Sequence, residues 1–198
     1  MISDIFKPAV VRIISPTARG MLRIGLTPNS VTAIGAVGVV ATALLAYPSG
    51  HLFGGTVAIC LLALSDLFDG TMARLSEKGA SRWGGFLDST IDRVTDSSIA
   101  LGLLIYLARE KDPLSYVLLV SIVAGFLVSY IRAKAESMQI ECKGGFAERT
   151  ERLIILLAAI GFTGLGVAYV LTIGIWFLAA ASVYTVFERM IIVWKATR

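Results

Sequence analysis

The sequence predicts an all-α membrane protein, with six transmembrane helices preceded by a juxtamembrane amphipathic helix. Three observations lead there. Hydrophobic residues make up 56% of the 198 positions and charged residues only 16%, against about 25% charged in an ordinary soluble domain. Mean hydropathy is +0.79. Apolar segments of about 20 residues, enough to cross about 30 Å of hydrocarbon, recur along the chain with short polar breaks between them. The whole of 1–198 reads as one membrane domain, with 1–28 as the interfacial helix and 29–195 as the six-helix bundle.

The six spans fall at 29–47, 53–75, 84–108, 113–136, 150–170 and 172–195. Pro48, Ser49 and Gly50 break the first hairpin, and Lys111, Asp112 and Pro113 break the second. The third turn is placed near Leu171-Thr172-Ile173-Gly174. No repeat of 20–50 residues is present. The first 28 residues lack the continuous apolar stretch of a signal peptide. Instead Ile2, Ile5, Phe6, Ala9, Val10 and Ile13 recur at helical spacing, while Arg12, Arg19 and Arg23 follow one another at seven and four residues. That pattern describes a helix lying in the inner interface with its basic groups on anionic lipid. Ser15-Pro16 and Thr27-Pro28 each read as an N-cap followed by proline at the first helical position.

Orientation follows from the basic residues. With the N-terminus inside, all 18 lysines and arginines except Arg109 and Lys111 fall in cytoplasmic segments or the helix ends beside them. The expected location is the plasma membrane, multi-pass, with membrane lipid as a partner and no nucleic acid. Cys60 lies in an apolar run and Cys142 in a polar loop, so no disulfide is expected, and His51 stands alone.

The candidate chemistry lies in Asp66, Asp69, Asp88 and Asp92, within stretches otherwise apolar enough to cross a bilayer. One aspartate near the middle of a membrane helix costs about 2.5–3.5 kcal/mol, so four cost on the order of 10 kcal/mol unless compensated. Asp66 and Asp69 are three apart and Asp88 and Asp92 four apart, so each pair shares a helix face. If the second and third spans are antiparallel neighbours, the two acidic faces meet near the cytoplasmic side. Four carboxylates at one seam call for a cation, and all-oxygen ligands suit Mg²⁺ or Mn²⁺. Two ions about 3.5–4 Å apart, clamping a diphosphate and a leaving group, are a known catalytic design. Gly70, Ala73, Gly84 and Gly85 leave room for close helix approach and for a ligand, and Arg74 lies near the same face. A second, basic constellation comprises Arg132 and Lys134 at the end of the fourth span, Arg149 and Arg152 at the start of the fifth, and Arg189 inside the sixth. An arginine in an apolar run needs a partner such as Glu188 or a bound anion. Together these groups suit a phosphorylated polar substrate.

The acidic stretch resembles the signature of the CDP-alcohol phosphotransferases, D-x-x-D-G-x-x-A-R, a spacer, then G-x-x-x-D-x-x-x-D. Asp66, Asp69, Gly70, Ala73, Arg74, Gly84, Asp88 and Asp92 match each fixed position. Within the family the chain is most similar to the actinobacterial phosphatidylinositol phosphate synthases. The segments Leu26-Thr27-Pro28-Asn29, Ser129 to Glu136 and Gly144 to Ile154 carry that likeness. The resemblance implies transfer of a phosphatidyl group from CDP-diacylglycerol to inositol phosphate, with CMP released, two Mg²⁺ ions (or Mn²⁺) and a homodimer. It implies that Asp66, Asp69 and Asp88 hold one metal and Asp66, Asp88 and Asp92 the other, with Asp92 as the base. It also implies a CDP-lipid site lined by Asn29, Ser30, Val31, Thr32, Gly70, Ala73, Arg74, Ser81 and Gly84. The acceptor phosphate would then lie on Lys134, Arg152 and Arg189, with Arg132 and Arg149 nearby. The rival readings are a phosphatidylglycerophosphate synthase using glycerol 3-phosphate, a cation transporter, and a structural protein with a metal-bound seam.

Overall fold

The computed structural model describes residues 14–75, 81–142, 144–145 and 149–198, and at 66, 67, 69 and 73 it describes the backbone alone. All regular structure among the described residues is helical. Helix α1 runs over 14–23, followed by α2 (Pro28–Ala46), α3 (Leu52–Ala63), α4 (Ser65–Leu75), α5 (Arg82–Arg109), α6 (Leu114–Ser137), α7 (Arg149–Gly164) and α8 (Val170–Ala196). Among the described residues, α2, α6 and α8 are each long and apolar enough to cross a membrane. The chain divides into two compact units, Met1–Leu44 with Val57–Ile99, and Leu45–Thr56 with Ala100–Arg198.

In the first unit α2 opens as its sequence predicts. The Thr27 N–H donates to Ser30 Oγ at 2.9 Å, and the Ser30 N–H donates to Thr27 Oγ1 at 3.2 Å. This is a reciprocal cap, with Pro28 at the first helical position, where its missing N–H costs nothing. The expected single span 53–75 is instead two helices, because α3 stops at Ala63 and α4 restarts at Ser65. At the interruption the Leu64 N–H reaches only three residues back, to the Leu61 carbonyl at 3.3 Å. The interruption lies beside two glycines of α2. A Cβ built on Gly38 would come 2.9 Å from Leu62 Cδ2, and one built on Gly35 would overlap the Ser65 hydroxyl.

Helix α1 also departs from expectation. Its described part contains Pro16, so any N-cap at Ser15 is overrun by helix. Ala18 is fully buried and packs with Val31 of α2 and Met72 of α4, alongside Ile14, Met21, Leu22, Leu26, Phe68 and Leu75. The apolar side of this helix is therefore covered by protein, whereas Arg19 and Arg23 remain exposed. Residues Ile2 to Ile13, with Lys7 and Arg12, lie outside the described residues.

In the second unit α8 packs against both α6 and α7. The Leu114 N–H at the start of α6 is taken by Asp112 Oδ1 at 2.9 Å. The last turn corrects the predicted one. Helix α7 ends at Gly164 rather than near 170, Gly166 (φ +85°) and Tyr169 (φ 63°) take left-handed conformations, and α8 begins at Val170. Gly174 does not break the chain. It lies inside α8 and is small because α7 is close there, a built Cβ falling 2.8 Å from Ala159 Cβ. Elsewhere in this unit Arg109 donates to the Pro48 carbonyl at 2.8 Å, and Tyr47 Oη lies 3.0 Å from Thr56 Oγ1.

Candidate functional site

The acidic residues occupy two helices of the first unit. On α4, Phe68, Met72 and Leu75 join the apolar cluster and Thr71 is 1% exposed. At about 100° per residue these four positions form one side of the helix. Positions 66, 69, 70 and 73 form the opposite side, so the apolar packing that anchors α4 directs its acidic positions away from that core. The side chains of Asp66, Asp69 and Ala73 lie outside the described residues. On α5, Gly84, Asp88 and Asp92 follow at four-residue steps along one stripe, with Asp88 exposed and Asp92 half-buried. Arg74 is exposed, and its Nη2 lies 3.4 Å from Thr71 Oγ1.

The start of α5 gathers three of the residues assigned to the CDP-lipid. Ser81 is its N-cap, accepting the Gly84 N–H on Oγ at 2.9 Å. Such caps contribute typically about 1 kcal/mol. A Cβ on Gly84 would lie a tight 3.0 Å from Ser81 Oγ and at an ordinary contact distance of 3.5 Å from Asn29 Oδ1, so the Asn29 carboxamide lies beside the helix start. The other three residues of the Asn29–Thr32 run each have a structural contact. Ser30 completes the cap of α2, Val31 lies in the apolar cluster, and the Thr32 hydroxyl donates to the Pro28 carbonyl at 3.0 Å. Gly70 is half-buried, with nothing within 4 Å of a built Cβ.

The basic residues lie in the second unit. Arg189 is only 6% exposed. Its Nη1 donates to the Val128 carbonyl of α6 at 2.7 Å and its Nε to the Gly144 carbonyl at 3.0 Å. A buried guanidinium needs compensation, expected from Glu188 or an anion, and two backbone carbonyls meet part of that need. Gly145, at φ +124°, lies against α8 so closely that a Cβ would come 2.5 Å from Thr185 Cγ2. Arg132 Nε pairs with Glu136 Oε1 at 3.0 Å on the exposed surface of α6, an arrangement worth little energetically. Lys134 is exposed in the last turn of α6, and Arg149 and Arg152 are half-buried in the first turn of α7. Lys143 lies outside the described residues, as do 146–148.

Asp96 lies outside the acidic signature. It continues the α5 stripe one turn beyond Asp92, and its Oδ2 lies 3.8 Å from Arg93 Nη1. The four-residue step from Asp92 was the available signal. The pairing also gives Arg93 a partner other than the signature aspartates.

Carboxylate oxygens suit a hard divalent cation, and of the four signature aspartates Asp88 and Asp92 have described side chains, exposed and half-buried on one stripe of α5.

Comparison with known proteins identifies the family. The sequence pattern of the CDP-alcohol phosphatidyltransferase family matches residues 25–187. The phosphatidylinositol phosphate synthase of Mycobacterium tuberculosis (strain ATCC 25618 / H37Rv) is 42% identical over 195 residues, covering 96% of this chain and 89% of the relative. That of Corynebacterium glutamicum is 39% identical over 193 residues, covering 96% and 87%. Among solved structures, the M. tuberculosis phosphatidylinositol phosphate synthase with CDP-DAG bound superposes with a TM-score of 0.87 at 41% identity, covering 92% of this chain and 94% of that one. The same enzyme in complex with manganese and citrate gives a TM-score of 0.87 at 41% identity, covering 91% and 88%. From the signature on α4 and α5 and from these relatives, the chain belongs to the CDP-alcohol phosphatidyltransferase family and is an enzyme of that class.

Proposed function

We propose that the protein transfers the phosphatidyl group of CDP-diacylglycerol to inositol phosphate, releasing phosphatidylinositol phosphate and CMP. The observation that carries this reading is the complete acidic signature on α4 and α5, in a chain about 40% identical to phosphatidylinositol phosphate synthases, one of them solved with CDP-DAG bound. The whole chain acts as one membrane domain in the plasma membrane, and its active site faces the cytoplasm. It crosses six times, through α2, α3 with α4, α5, α6, α7 and α8, and it works as a homodimer.

Asp66, Asp69 and Asp88 hold one divalent ion, and Asp66, Asp88 and Asp92 a second, Mg²⁺ or Mn²⁺. When bound, these ions neutralise the diphosphate and the charge that gathers on departing CMP. The remaining steps belong to the protein. Asn29, Gly70, Arg74, Ser81 and Gly84 border the cytidine diphosphate, and Arg74 brings a guanidinium to its phosphate oxygens. Lys134, Arg152 and Arg189 hold the acceptor phosphate, with Arg132 and Arg149 adding positive potential. Arg189 Nη1 and Nε already donate to the Val128 and Gly144 carbonyls, which hold the guanidinium in place inside the second unit. Asp92 accepts the proton of the inositol hydroxyl. The acceptor oxygen bonds to the lipid-side phosphorus, the bond from that phosphorus to CMP breaks, and CMP departs with the electron pair.

The test is release of CMP by purified protein supplied with CDP-diacylglycerol and magnesium and offered each acceptor separately. Release with inositol phosphate, and none above background with glycerol 3-phosphate or free inositol, is expected. Turnover with glycerol 3-phosphate alone would make the protein a phosphatidylglycerophosphate synthase. Cation uptake into liposomes without CDP-lipid, and no CMP release with any acceptor, would make it a transporter.

A further inference from the structure

The seam between α2 and the α3–α4 interruption places a side chain where the neighbouring helix has none. Ser65, the first residue of α4, immediately precedes Asp66. Gly35 of α2 is buried, and a Cβ on it would overlap the Ser65 hydroxyl and come 2.8 Å from Ser65 Cβ, with the Leu62 carbonyl at 3.6 Å. Contacts under 3 Å to a side chain anchored one bond from the backbone are not relieved by rotating a flexible end, so the helix itself must move. The first turn of α4 is thus seated on the bare backbone of α2. Its apolar side is held further along by Phe68, Met72 and Leu75 in the cluster with Ala18 and Val31. Two restraints on a helix of 11 residues determine both its axial position and its rotation. The interruption at Leu64 releases α4 from the direction of α3, so these restraints, rather than a continuous span, decide where the acidic side points.

We infer that Gly35 and Ser65 are positioning residues for metal binding. Their interlock sets the register of α4 and thereby the placement of positions 66 and 69 relative to 88 and 92 on α5. This rests on the metal reading proposed above. Displacing a ligand-bearing backbone by a fraction of an ångström to about 1 Å loosens a site whose geometry must hold to about 0.5 Å, and such misplacement can cost on the order of a hundredfold.

The experiment titrates Mn²⁺ alone against the thermal unfolding of purified full-length protein in detergent, with CMP release measured in parallel. Wild type is expected to rise in Tm with Mn²⁺. Gly35→Ala is expected to need on the order of tenfold more Mn²⁺ for half the shift, and Ser65→Val, which adds bulk from the other side of the seam, to act in the same direction. Gly35→Ala/Ser65→Gly moves the side chain from one helix to the other and is expected to return the Mn²⁺ midpoint close to wild type. That recovery separates positioning from general damage, because two independently damaging changes would add. If Gly35→Ala alone yields no folded protein, a folded double variant with the wild-type midpoint supports the interlock, and an unfolded double variant overturns it. A wild-type response with an unchanged midpoint in Gly35→Ala overturns the inference while leaving the metal reading intact. A wild type that Mn²⁺ does not stabilise overturns the metal reading and this inference with it.

Discussion

Replacing Asp92 with Asn will lower CMP release by on the order of 10³-fold, while CDP-diacylglycerol binding changes little. The size of the loss is that of a positioned proton acceptor. Asn keeps the length and shape of Asp and keeps one oxygen ligand, but it cannot take a proton from the inositol hydroxyl. Asp92 is half-buried on the same stripe of α5 as Asp88 and Gly84, one turn deeper along the helix than Asp88. The variant should fold normally, because no buried core position changes. Single-turnover CMP release, set beside equilibrium binding of CDP-diacylglycerol, separates the two quantities. Turnover within a few fold of wild type would remove Asp92 as the base. Direct attack further requires inversion at phosphorus, and retention would instead demand a covalent enzyme intermediate.

Asp88→Asn should have an effect at least as large and a different signature. In the proposed arrangement Asp88 contacts both ions, so its loss removes Mn²⁺ stabilisation together with activity. Wild type at 100 times its metal Kd should gain about 2.7 kcal/mol from binding, and Asp88→Asn should gain little. Without metal the sign reverses. In the proposed arrangement the four carboxylates repel one another when no metal is bound, so neutralising one should leave the apo protein as stable as wild type or slightly more so. Thermal unfolding with and without Mn²⁺ reads both halves. A variant that unfolds earlier under both conditions would mark Asp88 as structural.

Much of this protein can be read from its sequence, and the exceptions have physical causes. Pro28 and Pro113 mark helix starts through their fixed φ and missing N–H, and α2 and α6 begin at or just after them. The aspartate spacing places Asp88 and Asp92 on one stripe because three- and four-residue steps share a helix face whatever the tertiary context. The break at Leu64 was not legible. Leu61, Leu62, Ala63 and Leu64 are all good helix formers, and the interruption coincides with a contact 30 residues away, at Gly35. Gly174 misled for a related reason. A glycine in an apolar run signals either a turn or a close neighbour, and here the neighbour is Ala159. The turn belongs to Gly166 and Tyr169, and a left-handed tyrosine leaves little trace in sequence. For Arg189 the sequence suggests Glu188 or an anion as partner, but periodicity holds no information about the accepting carbonyls supplied by another helix and by the segment at Gly144.

The most direct test of the central claim, that the α4 and α5 aspartates close on divalent metal, is anomalous diffraction from crystals grown with Mn²⁺. Strong manganese peaks within coordination distance of Asp66, Asp69, Asp88 and Asp92 are expected, weakened or absent in Asp88→Asn. Manganese bound elsewhere, or these four carboxylates turned into separate environments with no ion among them, would contradict it.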